Sequence, residues 1–398
     1  MTDDLRALFL RHVCQTSDSP MGLVVTSAAG ATVRDADGRE YLDLLAGMGV
    51  ANVGHAHPEV VAAIRAQAER HLHVMVYGEF VLETQVRLAA GLVAQLPPAL
   101  SVVYFSSSGA EAVDGALKTA RKATGRPRFV AFAGGFHGDT WGALSVGGNP
   151  VYRGPFEPLL PDVVILPFDE VGALSAIDDR TAAVIVEPVQ AEGGVRIPGS
   201  DFLPALRRRC DEVRALLVFD EVVTGFGRTG KLFAHEHWGV VPDLLVLAKA
   251  LGGGLPLGAF VGRPELMGTL AHDPPLAHVT TFGGHPLSCA AGLAALGVLL
   301  RDRLAERARV LGERLLGELR TMTGRGGLAA VRGLGLLIGL EFDDAAACGG
   351  FARRAWERGL ILNWTLHRDT VVRLAPPLVL SDDEAARALR GVAAALTA

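Results

Sequence analysis

LLVFDEVVTGFGRTG, running from Leu216 to Gly230, and LVLAKALGGG, from Leu245 to Gly254, decide how this chain is built. Leu216 to Phe219 is an apolar run that ends in two acids, Asp220 and Glu221. Leu244 to Ala248 is a second apolar run, and it ends at Lys249 and a glycine cluster. Each reads as a buried strand that delivers a charged group at its carboxyl end, where open α/β sheets build their sites. A carboxylate and an amine delivered by neighbouring parallel strands point to cofactor chemistry.

Working outward, short apolar runs alternate with helical segments from about Ser101 to Gly262. The strands expected are Val102–Phe105, Phe129–Phe132, Val163–Leu166, Ala183–Glu187, Leu216–Asp220, Leu244–Ala248 and Ala259–Val261. Strands alternating with helices predict an α/β fold with a mainly parallel, seven-stranded sheet sandwiched by helices. Upstream, Met1 to His12 reads as a weakly helical arm. Ala31 to Leu45 reads as a hairpin turning at Asp35-Ala36-Asp37-Gly38. Pro58 suits the first turn of a helix whose apolar face carries Val60, Val61, Ile64 and Ala68. Past Pro286 the pattern changes. A long helical stretch carries Leu304, Ala308, Leu311, Leu315 and Leu319. Strands are expected at Leu336–Phe342 and Val371–Leu374, and a last helix is announced by the capping box Ser381-Asp382-Asp383-Glu384. The expected division is an N-terminal arm and hairpin (1–50), a large domain (51–288) and a C-terminal part (289–398). The first and last would form one smaller α+β unit.

At 398 residues, 49% hydrophobic and 20% charged, the chain has the composition of a globular protein with a large core. A formal net charge of −5 and no basic block argue against nucleic acid. No apolar run is long enough to span a bilayer, and the N-terminus does not read as a signal peptide. Cys14, Cys210, Cys289 and Cys348 are scattered, which suggests reduced thiols and a cytoplasmic location. The pairs His55/His57, His71/His73 and His235/His237 have the spacing of a strand, and no third ligand lies nearby, so no metal is expected. Arg207-Arg208-Arg209 reads as a solvated helix face.

Three further stretches bear on chemistry. Ser106-Ser107-Ser108-Gly109-Ala110-Glu111 follows one strand and opens a helix; small residues there let backbone amides approach a phosphate, although a Ser-capped helix start is an equal reading. Phe136-His137-Gly138-Asp139 follows another strand, and its aromatic ring can stack on a flat cofactor or simply pack the loop. Glu187 and Glu192 flank a glycine-rich loop and matter if they face the same cleft. An aspartate such as Asp220 can keep a heteroaromatic nitrogen protonated, and a lysine in apolar surroundings has a lowered pKa and forms imines. Pyridoxal phosphate needs that pair, with a phosphate cup. Any one of these features is weak, and together they outweigh a structural salt bridge.

The motifs SSSGAEA, FHGDTWGALS, EPVQAEGGV, FDEVVTGFGRTG, LAKALGGGLPLGA and TTFGGHPLSCAAG, in this order and spacing, resemble the class III aminotransferases. These are fold-type I pyridoxal-phosphate enzymes of the ornithine, acetylornithine and ω-amino acid group. The resemblance covers Thr32 to nearly the C-terminus. It implies that Lys249 is the Schiff-base lysine, Asp220 the partner of the pyridine nitrogen and Glu187 its supporting acid. It places Phe136 and Val222 on the two faces of the cofactor, His137 beside it, and Ser108, Gly109 and Ala110 around its phosphate. It implies a homodimer whose active site is shared, with Thr281 reaching the neighbouring subunit's phosphate. Arg373 falls where relatives hold a substrate carboxylate, and Glu192 where an acid masks that arginine. Tyr77 is a candidate lining residue for substrate.

The implied reaction is ping-pong transamination, from an amino acid, ω-amino acid or amine to 2-oxoglutarate or pyruvate. A racemase, epimerase, aminomutase or decarboxylase could use the same lysine, and a non-catalytic scaffold is a reading of another class. Asp139 stands where acetylornithine and ornithine enzymes have the arginine of FHGR, which counts against acetylornithine unless the side chain points away. Val223 and His285 replace the usual Gln and Asn.

Overall fold

Residues 4–397 are described by the structure, a computed structural model. The arm forms a helix, Leu5–His12, and is followed by β1 (Val25–Ala29), β2 (Thr32–Asp35) and β3 (Glu40–Asp43). β2 and β3 make the expected hairpin, with Thr32 opposite Leu42. Its turn closes because Asp35 Oδ1 accepts from the amides of Asp37 (3.0 Å) and Arg39 (2.9 Å). Gly38, at φ 79°, takes the left-handed position there. β1 was not foreseen; it pairs antiparallel with β2 and is mostly exposed, so it carries no hydrophobic alternation.

All seven apolar runs form strands of one sheet. These are β4 (Val102–Ser106), β5 (Arg128–Phe132), β6 (Val163–Leu166), β7 (Thr181–Val186), β8 (Leu216–Asp220), β9 (Leu244–Leu247) and β10 (Gly258–Gly262). Their order is β4-β10-β9-β8-β7-β5-β6. β10 runs antiparallel to both neighbours, and the other pairings are parallel. Every residue of β7, β8, β9 and β10 is buried, so these strands read as continuous apolar runs. The pleat nonetheless sorts their side chains onto two faces. Leu217, Phe219, Leu245 and Leu247 pack on one face with the helix Phe202–Val213. Leu216, Val218, Leu244 and Val246 pack on the other with the helix Gly109–Thr124. Each such fully buried side chain contributes about 1.5–3 kcal/mol.

The C-terminal third adds β11 (Leu328–Leu334), β12 (Leu337–Phe342), β13 (Leu360–Ile361), β14 (Asn363–Thr365) and β15 (Arg368–Leu374). β11-β12-β15-β14 form an antiparallel sheet, while β13 pairs parallel with β3 and so ties the two ends of the chain together. The expected long helix is two, Pro286–Arg301 and Leu304–Arg320, broken where Arg303 adopts φ 51°. Its five named apolar residues are all buried. The capping box forms: Ser381 accepts from the Glu384 amide and Glu384 from the Ser381 amide. β11 and β14 were not foreseen; β11 contains Gly and Ala and is mostly half-buried, which blurs its period.

Three finer expectations need correction. The helix Pro58–Arg70 buries Val60 and Gln67, with Ala68 exposed; the inward stripe follows i, i+4, i+7 through Ile64. The histidine pairs do not sit in strands. His57 caps that helix, His55 pairs with Asp43 at 2.7 Å, and His235 and His237 lie in a 3₁₀ turn. The arginine run is not simply solvated: Arg207 pairs with Asp211 and Asp243, and Arg209 donates to the Ile177 carbonyl. Among the described residues, no helix is long and apolar enough to cross a membrane.

Candidate active site

A cavity of about 270 Å³ opens at the carboxyl ends of β4, β5, β7, β8 and β9. Because β8 and β9 are adjacent and parallel, Asp220 and Lys249 reach its floor together. The two acids of FDE part company at the strand end. Asp220 faces the cavity, whereas Glu221 is turned inward and accepts from the His235 amide at 2.8 Å. Glu221 is therefore a structural acid.

Asp220 is buried and held from two sides. Its Oδ1 accepts from the Val222 amide at 3.0 Å, and its Oδ2 lies 2.7 Å from His137 Nδ1. Burial alone would make His137 less basic, but the hydrogen bond and the charge of Asp220 outweigh it and raise its pKa. Glu187, just past β7, accepts from the amides of Phe136 and Ala191, each at 3.0 Å. Burial pushes its carboxyl up to about 7, and the Asp220 charge acts in the same direction. Lys249 has φ 51°, a left-handed backbone that non-glycine residues seldom adopt. Burial depresses the pKa of its amine, and Arg373 adds to the effect. The site thus holds its lysine closer to neutrality than a surface amine.

The helix beginning at Gly109 points its N-terminus at the same cavity. Ser108 caps it by accepting from the Glu111 amide at 3.2 Å. The first amides of a helix have no intrahelical acceptor, so those of Gly109 and Ala110 are suited to an anion. A Cβ on Gly109 would sit 3.2 Å from Val222, and one on Gly138 would sit 2.5 Å from the Ala110 Cβ. Two backbone segments therefore meet more closely than side chains allow. The result is a cradle with open amides at one end, an acid at the other, and Phe136 and Val222 on its walls.

Glu192 also lines the cavity, and its carboxylate forms an ion pair with Arg373. The pair is nearly sealed, with the side chains 7% and 2% exposed. Burial would raise the pKa of Glu192, but the Arg373 charge and the Leu366 amide, 2.9 Å from Oε2, hold it below the usual carboxylate range. Arg373 lies on β15 opposite Gly339, with Nη2 3.5 Å from the Met48 sulfur.

The fold thus brings together Ser108, Gly109, Ala110, Phe136, His137, Glu187, Glu192, Asp220, Val222 and Lys249, with Arg373 one contact away. Three candidates lie elsewhere. Asp139 is exposed and outside the cavity lining, so it gives no geometric ground for excluding an acetylated donor. Tyr77 is 37% exposed and also outside the lining. Thr281 is exposed on its loop, away from its own chain's cavity. Sequence reasoning missed Leu366 and Met48, which no local motif marks. It also gave no role to Arg228, which is wholly buried and donates to the carbonyls of Leu336 (3.0 Å) and Pro376 (2.6 Å) and to Asn52 (2.6 Å). That arginine clamps the loop after β8 to the C-terminal sheet, and burial lowers its pKa to about 9.

The fold and this cavity are those of a pyridoxal-phosphate enzyme. The family model for class-III aminotransferases matches residues 13–396, and the chain belongs to that family. It is 46% identical to the acetylornithine aminotransferase of Methanopyrus kandleri over 97% of both chains. It is 42% identical to the putrescine aminotransferase of Pectobacterium atrosepticum, over 94% of this chain and 82% of that protein. Among solved structures, the ornithine aminotransferase of Toxoplasma gondii superposes with a TM-score of 0.92 at 34% identity, covering 99% of this chain and 94% of the other. A PLP-bound amine transaminase from an uncultivated Pseudomonas species gives 0.88 at 32% identity, over 96% and 99%. The protein is therefore an aminotransferase with pyridoxal phosphate as its cofactor. The open amides, the buried carboxylate and the buried amine are the donor set that a phosphorylated pyridine aldehyde requires.

Proposed function

We propose that the amino donor presents a primary amine on a carbon that bears no carboxylate, and that the acceptor is a keto acid, 2-oxoglutarate or pyruvate. The observation that carries this reading is the buried Glu192–Arg373 pair beside Lys249. With Arg373 masked, the site is neutral there and suits the terminal amine of a diamine or ω-amino acid. With Glu192 withdrawn, Arg373 can grip the acceptor's carboxylate through two parallel hydrogen bonds. The relatives named for acetylornithine and putrescine both fit such a donor.

Pyridoxal phosphate, when bound, supplies the aldehyde carbon that takes up the nitrogen and a conjugated ring that accepts the electrons of the broken C–H bond. Lys249 is the tether and the base. Its Nζ takes the proton from the donor's amine-bearing carbon and delivers one to the acceptor's former carbonyl carbon. A base whose pKa is lowered toward neutrality suits that exchange, which typically contributes about 10²–10⁴-fold. Asp220 offers a carboxylate to the ring nitrogen. His137 keeps that carboxylate oriented, at 2.7 Å. Glu187 braces Phe136 through its amide, at 3.0 Å. The amides of Gly109 and Ala110 hold the phosphate.

In this reading the enzyme is a cytoplasmic homodimer, and Thr281 completes the phosphate site of the neighbouring subunit. Residues 51–288 act as the cofactor-binding domain; 1–50 and 289–398 form the smaller unit. The test is a screen of N-acetylornithine, ornithine, putrescine, 4-aminobutyrate and simple amines, with L-alanine and L-glutamate as donors whose amine shares a carbon with a carboxylate, against 2-oxoglutarate and pyruvate, scored as new amino acid. Transfer from at least one terminal amine is expected. Activity confined to donors whose amine shares a carbon with a carboxylate would sink the proposal.

A further inference from the structure

Glu192 is gripped from the side opposite Arg373 by the turn between β14 and β15. The Leu366 amide donates to Glu192 Oε2 at 2.9 Å, and the next amide, that of His367, donates to the Glu192 carbonyl at 3.0 Å. Two consecutive amides of one turn therefore hold a single residue, side chain and backbone together. The turn leads directly into the strand that carries Arg373. It is closed by Thr365, whose hydroxyl donates to the Arg368 carbonyl at 2.8 Å.

The turn is fastened from outside by Tyr152, which follows the short helical start at Pro150. The Tyr152 hydroxyl donates to the Leu366 carbonyl at 2.8 Å, and its ring stacks on His367 at 5.1 Å with planes 28° apart. His367 in turn lies edge-on to Phe136 at 5.6 Å, with Nδ1 3.2 Å from the Gly134 carbonyl. One peptide unit, Leu366–His367, thus accepts from Tyr152 and donates to the Glu192 backbone carbonyl, while the unit before it donates to the Glu192 carboxylate. Hydrogen bonds at both ends of a peptide polarise it cooperatively.

We propose that Tyr152 is a positioning residue that fastens this turn, holds Glu192 over Arg373, and so sets the enzyme's preference between substrates with and without a carboxylate for Arg373. The proposal rests on the masking role given to Glu192 above. An incoming carboxylate replaces only the Arg373 half of the Glu192 hold. The Leu366 amide must release the carboxylate or move with it. The firmer the turn, the smaller the fraction of enzyme with Arg373 open, and apparent affinity falls by that fraction. Loosening the turn should help carboxylate ligands and weaken the masked state that terminal-amine donors need.

The experiment uses the holoenzyme with Tyr152→Phe and Tyr152→Ala. Half-reactions are started with L-glutamate, which carries a carboxylate beside its amine, and with the terminal-amine donor that reacts fastest in the screen above. Tyr152 is 38% exposed, and phenylalanine keeps the stack, so the fold should persist. Loss of one hydrogen bond should raise the ratio of kcat/KM for glutamate to that for the terminal amine about fivefold in Tyr152→Phe. A larger rise in the same direction is expected in Tyr152→Ala. An unchanged ratio, or an equal fall in both half-reactions, overturns the proposal, since a merely structural role moves both together. Glu192→Gln is run alongside. If it shifts the ratio while the Tyr152 variants do not, only the role of Tyr152 is lost. If it does not shift, or if no terminal amine of the screen reacts, the masking reading fails and takes this proposal with it.

Discussion

Glu192→Gln is the sharpest perturbation of this site. In the wild type a carboxylate and a guanidinium are paired with side chains only 7% and 2% exposed. Truncating one partner of a buried pair costs about 3–5 kcal/mol, chiefly because the other charge is left uncompensated. Glutamine is gentler, because its amide oxygen can still accept from Arg373 and from the Leu366 amide. A charge-assisted hydrogen bond is about twice as strong as a neutral one, so roughly 2–3 kcal/mol should be lost. The loss falls only where no substrate carboxylate reaches Arg373. In the other half-reaction the substrate supplies the missing charge. The terminal-amine half-reaction should therefore slow about 30- to 150-fold relative to the glutamate half-reaction. Rapid mixing of holoenzyme with each donor, followed by the cofactor's absorbance, measures both. Equal slowing of the two halves, or a relative rate within about threefold of wild type, would refute the masking argument.

Other perturbations test the rest of the site. Lys249→Ala should lose turnover by at least the ~10²–10⁴-fold of a positioned base, together with the absorbance of the lysine-bound cofactor; retention of both refutes its assignment. Gly138→Ala puts a Cβ 2.5 Å from that of Ala110 at φ 117°, and should weaken cofactor binding about tenfold or more in an absorbance titration. Gly172→Ala, with open space around it, serves as the neutral control. The Glu187 carboxyl is raised by burial to about 7 from 4.5, so its contribution to stability is complete below about pH 4.5 and is lost as pH rises through 7. Glu187→Gln should remove that loss, so the Tm of the cofactor-free variant, relative to wild type, should climb between about pH 5 and pH 8. A difference that stays flat with pH would contradict the raised pKa.

Much of this molecule is written in short-range pattern. Buried parallel strands need unbroken apolar runs, and each of the seven expected runs became a strand of the central sheet. Residues at or just past the carboxyl ends of those runs, Ser108, Phe136, Glu187, Asp220 and Lys249, line the cavity. They could be read because a strand's carboxyl end is a local feature whose place in a parallel sheet is fixed by handedness and layering. Hydrophobic patterns blurred where burial is partial. β11 is mostly half-buried, and the helix from Pro58 buries Gln67 rather than Ala68.

The stretch from Leu216 to Gly230 shows where local pattern stops deciding. FDE placed two acids side by side, and only the packed structure separates them: Asp220 meets His137 at 2.7 Å, while Glu221 turns to the His235 amide. On the substrate side, Tyr152, Glu192 and the β14–β15 hairpin that carries Leu366 and Arg373 lie far apart in the chain and converge only when the C-terminal sheet docks on the large one. The sequence by itself determined the sheet, the strand ends and the cofactor chemistry, because hydrophobic period and strand-end residue type are properties of neighbouring residues. The tertiary structure alone decided which charges are sealed together, that Asp139 stays outside the cavity, and how Glu192 is held, because long-range docking removes water from some groups and not from others.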